Sequence, residues 1–144
     1  MKIFLDNYCF ARPYDDQSSL VVQLETEAKL YVQELILQGK VELLWSFVLD
    51  YENSANPFEE VRKRINRWQM LASADCNLSD EITIITMELM GRSLRQKDAA
   101  HIACAIHLGA DYFLTTDKKI LNKHINKITV LNPIDFIRRL YDAE

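Results

Sequence analysis

Four acidic side chains, Asp6, Glu52, Asp98 and Asp117, each stand where an apolar run ends or a helix is expected to begin. Carboxylates gathered on one face hold hard divalent cations, because such ions choose oxygen ligands. An ion held this way polarises a phosphoryl oxygen, activates a water and stabilises the leaving oxygen of an in-line displacement. Crowded carboxylates also repel one another, so without a cation some of them are driven to keep a proton. Each acid alone has a plainer reading: Asp6 opens a loop, Asp98 and Asp117 sit at helix N-termini, and Glu52 is a solvated surface acid. Only the joint pattern points to a shared site.

Several elements are needed to bring such acids together. Lys2-Ile3-Phe4-Leu5 reads as a short buried strand that delivers Asp6-Asn7 at its carboxyl end. Arg12-Pro13-Tyr14-Asp15-Asp16 reads as a loop. From Ser18 or Ser19 a helix is expected, with Leu20, Val21, Leu24, Ala28, Val32, Leu35 and Ile36 on one stripe and Gly39 as its stop. Residues 41–49 read as a strand that passes into a helical segment carrying Glu52. Asn56-Pro57 opens a helix through about Ala72, whose Arg62, Lys63, Arg64 and Arg67 form the one basic concentration. Another helix runs from Ser79-Asp80-Glu81 to about Gly91-Arg92. Lys97-Asp98 opens an alanine-rich helix to Ile106, stopped by Gly109, and its small side chains suggest close packing on a sheet. A strand over 111–117, a lysine-rich helical turn, a strand over 128–131 and a final helix over 133–141 complete the chain.

Strands that alternate with helices imply a three-layer α/β/α sandwich around a central parallel sheet, here one domain over residues 1–144. In such a sheet the ligand crevice lies outside the carboxyl ends of the strands, at the switch in strand order. Asp6, Asp117 and, one helical turn later, Glu52 follow strands, and Asp98 opens a helix that leads into one. Asp111, at the other end of the strand that finishes at Asp117, is expected to be structural. Asp50 is a possible substitute for Glu52.

The bulk properties agree with one folded, water-soluble unit. Hydrophobic residues make up 49% of the 144, and glycine and proline are scarce, at three each. Cys9, Cys76 and Cys104 share no zinc-like spacing, and no secretory leader or long apolar span is read, so a reduced cytoplasmic protein with no membrane association is expected. A net charge of −4 excludes nucleic-acid binding by broad electrostatics and leaves only a local contact.

Ile3-Phe4-Leu5-Asp6-Asn7, Val48-Leu49-Asp50-Tyr51-Glu52 and the stretch Lys97-Asp98-Ala99-Ala100-His101-Ile102-Ala103-Cys104-Ala105 followed by Gly109-Ala110-Asp111-Tyr112-Phe113-Leu114-Thr115-Thr116-Asp117 occur in that order. In these motifs the chain resembles the PIN-domain nucleases, in particular the ribonuclease toxins of VapC type. The match runs from about Met1 to Leu131, with residues 53–95 matching only as generic helices. The resemblance implies a PIN-like α/β/α fold and a divalent-metal-dependent endoribonuclease that hydrolyses RNA phosphodiester bonds. Mg2+ or Mn2+ would be held by Asp6, Glu52, Asp98 and Asp117, which are thereby the catalytic residues. It further implies an antitoxin protein as partner, and homodimers are frequent in the family. Many relatives have a hydroxyl residue after the first acid, whereas Asn7-Tyr8-Cys9 follows Asp6 here. Asn7 and Thr115 are therefore supporting candidates, and Arg12 is a candidate for phosphate contact.

Two other functions compete: a non-catalytic PIN-like module that binds RNA or protein, and a phosphotransfer or receiver domain. Haloacid-dehalogenase-like phosphatases need a second aspartate two residues after the nucleophile, and Tyr8 stands there, which sets that reading aside. His101, one turn beyond Asp98, is expected to serve packing, His107 to lie at the surface, and Cys9 and Cys104 to be inert in apolar surroundings. Arg62 to Arg67 reads as a solvated face, and the tryptophans and tyrosines form no base-stacking pattern.

Overall fold

The apolar run after Met1 becomes the middle strand of a parallel sheet. In a computed structural model that describes residues 1–142, the elements in order are β1 (Lys2–Leu5), α1 (Asn7–Ala11), α2 (Leu20–Leu37), β2 (Glu42–Ser46), α3 (Phe47–Ser54), α4 (Glu59–Arg67), β3 (Ala74–Cys76), α5 (Asp80–Met90), α6 (Gln96–His107), β4 (Tyr112–Leu114), α7 (Lys118–Leu121), β5 (Thr129–Leu131) and α8 (Pro133–Asp142). The last two residues of the expected domain lie outside those described. All neighbouring strands pair in parallel, in the order β3-β2-β1-β4-β5.

A strand buried on both faces must be apolar at every position. Ile3, Phe4 and Leu5 are each fully buried, and the period of two sorts their contacts. Phe4 and its register partner Phe113 both meet the ring of His101 on α6, with centroids 5.6 and 4.7 Å away. On the other face Trp45 of β2 packs on Phe10 of α1, and Tyr112 of β4 packs on Phe136 of α8. Helices therefore cover both faces, which makes the three-layer sandwich expected from the alternation of elements. The small side chains Ala99, Ala103 and Ala105 of α6 are fully buried and let its backbone approach the sheet closely.

Two helices end on left-handed glycines. Gly39 (φ +72°) and Gly109 (φ +69°) let the chain reverse, and the N–H groups of Lys40 and Ala110 return to the carbonyls of Leu35 and Ala105, at 3.0 and 2.9 Å. No helix among the described residues is long and apolar enough to cross a membrane.

Several boundaries differ from the sequence reading. The apolar stretch 41–49 divides at Ser46 into β2 and the start of α3, because an unbroken apolar run serves a buried strand and a buried helix equally well. The edge strand β3 is not expected at all: Ala74-Asp75-Cys76 carries no β-branched residue and is held by pairing with β2. Leu20, Val21 and Leu24 do not join the core but stay exposed, because α2 outruns the sheet it covers. Asn56 accepts the Phe58 N–H at 2.9 Å in a turn, and the helix begins only at Glu59, with Trp68–Leu71 tightening into a 3-10 turn. The stretch 12–16, read as a loop, starts with a 3-10 turn at Arg12–Tyr14, and the residues between it and Asp6 form α1.

Candidate active site

From β1 the chain proceeds toward β2 on one side of the sheet, and from β4 it proceeds to β5 on the other. The switch in strand order therefore falls between β1 and β4, where the residues just past both strands face a common crevice. Asp6 follows β1, and its N–H donates to the Leu114 carbonyl at the end of β4, at 3.0 Å. One carboxylate oxygen of Asp6 accepts the Cys9 N–H at 3.0 Å and so caps α1, while the other accepts the Thr115 hydroxyl. Thr115 Oγ1 in turn accepts the Asp117 N–H at 3.0 Å, and Asp117 Oδ1 accepts the Lys119 N–H at 2.9 Å to cap α7. One hydroxyl thus fixes two acids.

The other two acids come from helices on the α6 face. Helix α6 runs back against the strands to feed β4, so its first turn lies at the carboxyl edge, and Asp98 sits there, buried. Glu52 lies on α3, which leaves the end of β2. Arg95, at the N-cap of α6, approaches Asp98 Oδ2 with Nε at 3.2 Å and Asp117 Oδ2 with Nη2 at 3.8 Å. Its guanidinium therefore bridges acids from two elements.

The charges feel one another. Burial pushes the Asp6 carboxyl up to about 7; the hydrogen bonds from Thr115 and Cys9 oppose this, and the charges of Glu52 and Asp117 add to it. Burial also raises Glu52, where Lys97 pulls down and Asp98 and Asp117 push up. Tyr8, half-exposed, has its phenol raised by burial and then by Asp117, Glu52 and Asp6, with Arg95 opposing. These mutual influences join Asp6, Glu52, Asp98 and Asp117 into one acidic cluster with Tyr8 beside it.

All four side chains offer hard oxygen donors, and Asn7 has a buried Oδ1 with no hydrogen-bond partner among the described residues. That donor chemistry fits a hard dication, and a cation would offset both the burial that keeps a proton on Asp6 and the smaller repulsion from Glu52 and Asp117. As the side chains stand, no three histidine, cysteine or carboxylate groups among the described residues form a ready-made coordination sphere. Arg95 supplies positive charge to Asp98 and Asp117 instead.

Other residues of interest fall outside the cluster. Arg12 is pinned between Asp15 at 2.9 Å and the buried Glu25 at 3.0 Å, so its guanidinium is already engaged. Asp50 accepts the Trp45 indole N–H at 2.9 Å and is not a substitute for Glu52. Asp111 accepts the Lys2 N–H at 2.8 Å at the far end of β4, a structural role as expected. His101 is buried among Phe4 and Phe113, and burial lowers it to about 3, so it is neutral and its 3.7 Å approach to Glu52 is not an ion pair. His107 is exposed beside Glu81, and all three cysteines are free and buried. On α4, Lys63 pairs with Glu59 and Arg62 donates to the Asn56 carbonyl, so part of that basic stretch is used locally. Sequence reasoning missed Arg95, Lys97 and Tyr8; the one available signal was an arginine three residues before an acid at a helix start, the spacing of an i,i+3 pair.

No family sequence model matches the chain, and no curated protein sequence matches it. Its fold is similar to that of FitAcB from Neisseria gonorrhoeae, with a TM-score of 0.59 at 13% identity over 91% of this chain and 97% of that one. It is equally similar to VapBC2 from Rickettsia felis bound to a DNA fragment from their promoter, with a TM-score of 0.59 at 16% identity over 92% of this chain and 98% of that one. At these identities the likeness is one of fold.

Proposed function

We propose that the chain is a divalent-metal-dependent endoribonuclease of PIN-domain type, acting in the cytoplasm as the toxin half of a toxin–antitoxin pair. The observation that carries this reading is the gathering of four carboxylates from four separate elements at the switch between β1 and β4, near enough for the charges of the others to raise Asp6 and Glu52. The fold shared with FitAcB and VapBC2 supports the toxin–antitoxin assignment and an antitoxin as partner.

Asp6, Glu52, Asp98 and Asp117 would hold Mg2+ or Mn2+, with Asn7 Oδ1 as an additional oxygen. An ion held there would supply Lewis-acid stabilisation of negative charge on an RNA phosphodiester. Thr115 orients the Asp6 carboxylate by donating to it and holds the backbone of Asp117 by accepting from it. With its carboxyl near 7, Asp6 is partly protonated in neutral solution, so it reaches its full charge only in mildly alkaline solution or beside a cation. Arg95 and Lys97 offset the remaining negative charge that would otherwise repel an incoming phosphate.

A second reading, a module that binds RNA or protein without cutting, is favoured by Arg95, which already neutralises two of the acids. RNA cleavage with and without manganese, comparing the wild type with Asp98→Asn, separates the two. Manganese-dependent cleavage that falls at least about 100-fold in the variant is expected, since losing a partner that merely supports a metal ligand costs about 10–100-fold and Asp98 is proposed as a ligand itself. Cleavage that is unchanged in the variant, or no cleavage and no heat of manganese binding in the wild type, refutes the nuclease reading.

A further inference from the structure

A concavity of about 350 Å³ opens beside the acids, bordered by Ser93, Arg95, Asp98, Lys119, Asn122 and Lys123. Three of these side chains are cations, gathered into one depression in a chain whose net charge is −4. Lys119 and Lys123, four residues apart, project from the same side of α7 and the turn after it. Both are exposed, and neither has an ion-pair partner among the described residues, unlike Lys63, which pairs with Glu59. Unpaired like charges turned toward one hollow repel each other and are best complemented by an anion.

The hollow is continuous with the acidic cluster. Asp98 and Arg95 belong to both, and the Lys119 N–H caps on Asp117, which ties the lysine helix to the same crevice. Cations beside carboxylates give two kinds of binding along one path. We infer that this hollow is a phosphate subsite, in which Lys119, Lys123 and Arg95 take the backbone phosphate next to the one at Asp6, Glu52, Asp98 and Asp117. It takes its ligand, a single-stranded RNA, from the ribonuclease reading. The basic stretch on α4 is a separate solvated face and takes no part.

The test measures binding without cleavage. A fluorescein-labelled oligouridylate of about ten nucleotides is titrated with the intact protein in EDTA, over about 50 to 200 mM salt, and followed by anisotropy. Each phosphate contact contributes about 0.7 to the slope of log affinity against log salt on a single strand, so Lys119→Gln with Lys123→Gln, which strips the lysines from that one phosphate, is expected to lower the slope by about 0.7. A loss of about tenfold or more in affinity at the lowest salt accompanies it, while Lys63→Gln with Arg64→Gln changes affinity less than about twofold. Circular dichroism melts check folding, and either single lysine variant, expected to lower the slope by less than the pair does and to weaken binding in the same direction, serves if the double one is damaged.

Equal slope and affinity in wild type and lysine variants overturn the subsite, as does a wild type that does not bind the RNA. Loss of affinity for poly-aspartate with RNA binding intact overturns it too and marks a surface for an acidic protein. A wild type that binds the RNA through these lysines but never cuts it supports the subsite and removes the nuclease reading, so the two fail separately.

Discussion

Replacing Asp6 with asparagine is expected to make the metal-free protein more stable at pH 8 and no more stable near pH 4. Asp6 is 2% exposed, and burial lifts its carboxyl from 3.8 to about 7. The folded state therefore holds this proton more tightly than the unfolded chain does. Below about pH 4 the group is neutral in both states and burdens neither; between about 4 and 7 ionisation favours the unfolded chain increasingly; above about 7 the burden is complete. A difference of roughly three pH units, at about 1.4 kcal/mol each, makes that burden about 4 kcal/mol. Asparagine keeps an oxygen for the Cys9 N–H but replaces the acceptor of the Thr115 hydroxyl with a donor, a loss of about 1 kcal/mol. The net gain at pH 8 is about 3 kcal/mol, or roughly 9 °C in Tm at about 3 °C per kcal/mol.

Calorimetric melts of both proteins in EDTA across that pH range measure this directly. The gain must grow between about pH 4 and pH 7 and then level off, because that is the interval in which only the unfolded wild type is ionised. An asparagine variant that melts at or below the wild type at pH 8, or a gain that does not depend on pH, refutes the claim that burial holds a proton on Asp6. Manganese added at pH 8 is expected to raise the wild-type Tm by mass action and to leave the variant nearly where it was. The residue that weakens the empty fold is thus the one whose charge a cation would use.

Thr115→Val keeps the volume but removes the donor to Asp6 and the acceptor for the Asp117 N–H, and is expected to lower manganese affinity about 10- to 100-fold by calorimetric titration; unchanged affinity contradicts the orienting role. Lys29 is buried over Phe10, and burial lowers its ammonium from 10.5 to about 8, so charging it opposes folding fully below about pH 8 and not at all above about 10.5. Lys29→Met is therefore expected to stabilise by about 1–3 kcal/mol at pH 7 in urea unfolding, the gain disappearing near pH 10.5; a gain that persists there would have another cause. His101, held neutral by burial, is expected to show no titration of its imidazole NMR signals between about pH 5 and 8, and a midpoint inside that range would mean that water or Glu52 reaches the ring.

Much of the fold was legible because local patterns and tertiary packing agree. Ile3-Phe4-Leu5, a short apolar run that stops at Asp6-Asn7, reads as a strand buried on both faces, and the alanines of α6 read as close packing on a sheet; both are so placed. The placement of Asp6, Asp98 and Asp117 at the carboxyl edge was legible for the same reason, since each adjoins the end of an element that its local pattern identifies. Glu52 was less so: its place depends on where strand gives way to helix inside 41–49, and the break at Ser46 leaves no mark in an apolar run.

Other features exist only once the elements are assembled. Leu20, Val21 and Leu24 continue the helical stripe of α2, yet its 18 residues span about 27 Å while the strands beneath, of three to five residues, span about 10–17 Å, so the helix overhangs. Arg95, exposed and unremarkable in the chain, meets Asp98 through helix geometry but meets Asp117 only because α6 begins at the edge where β4 ends. Lys119 and Lys123 read only as part of a lysine-rich helical turn until that turn closes a hollow with Ser93 and Arg95. The amino-acid sequence by itself determined which element each acid follows, because periodicity and termini are local. The tertiary structure alone decided which cations face those acids, because distance across a fold depends on strand order and not on separation along the chain.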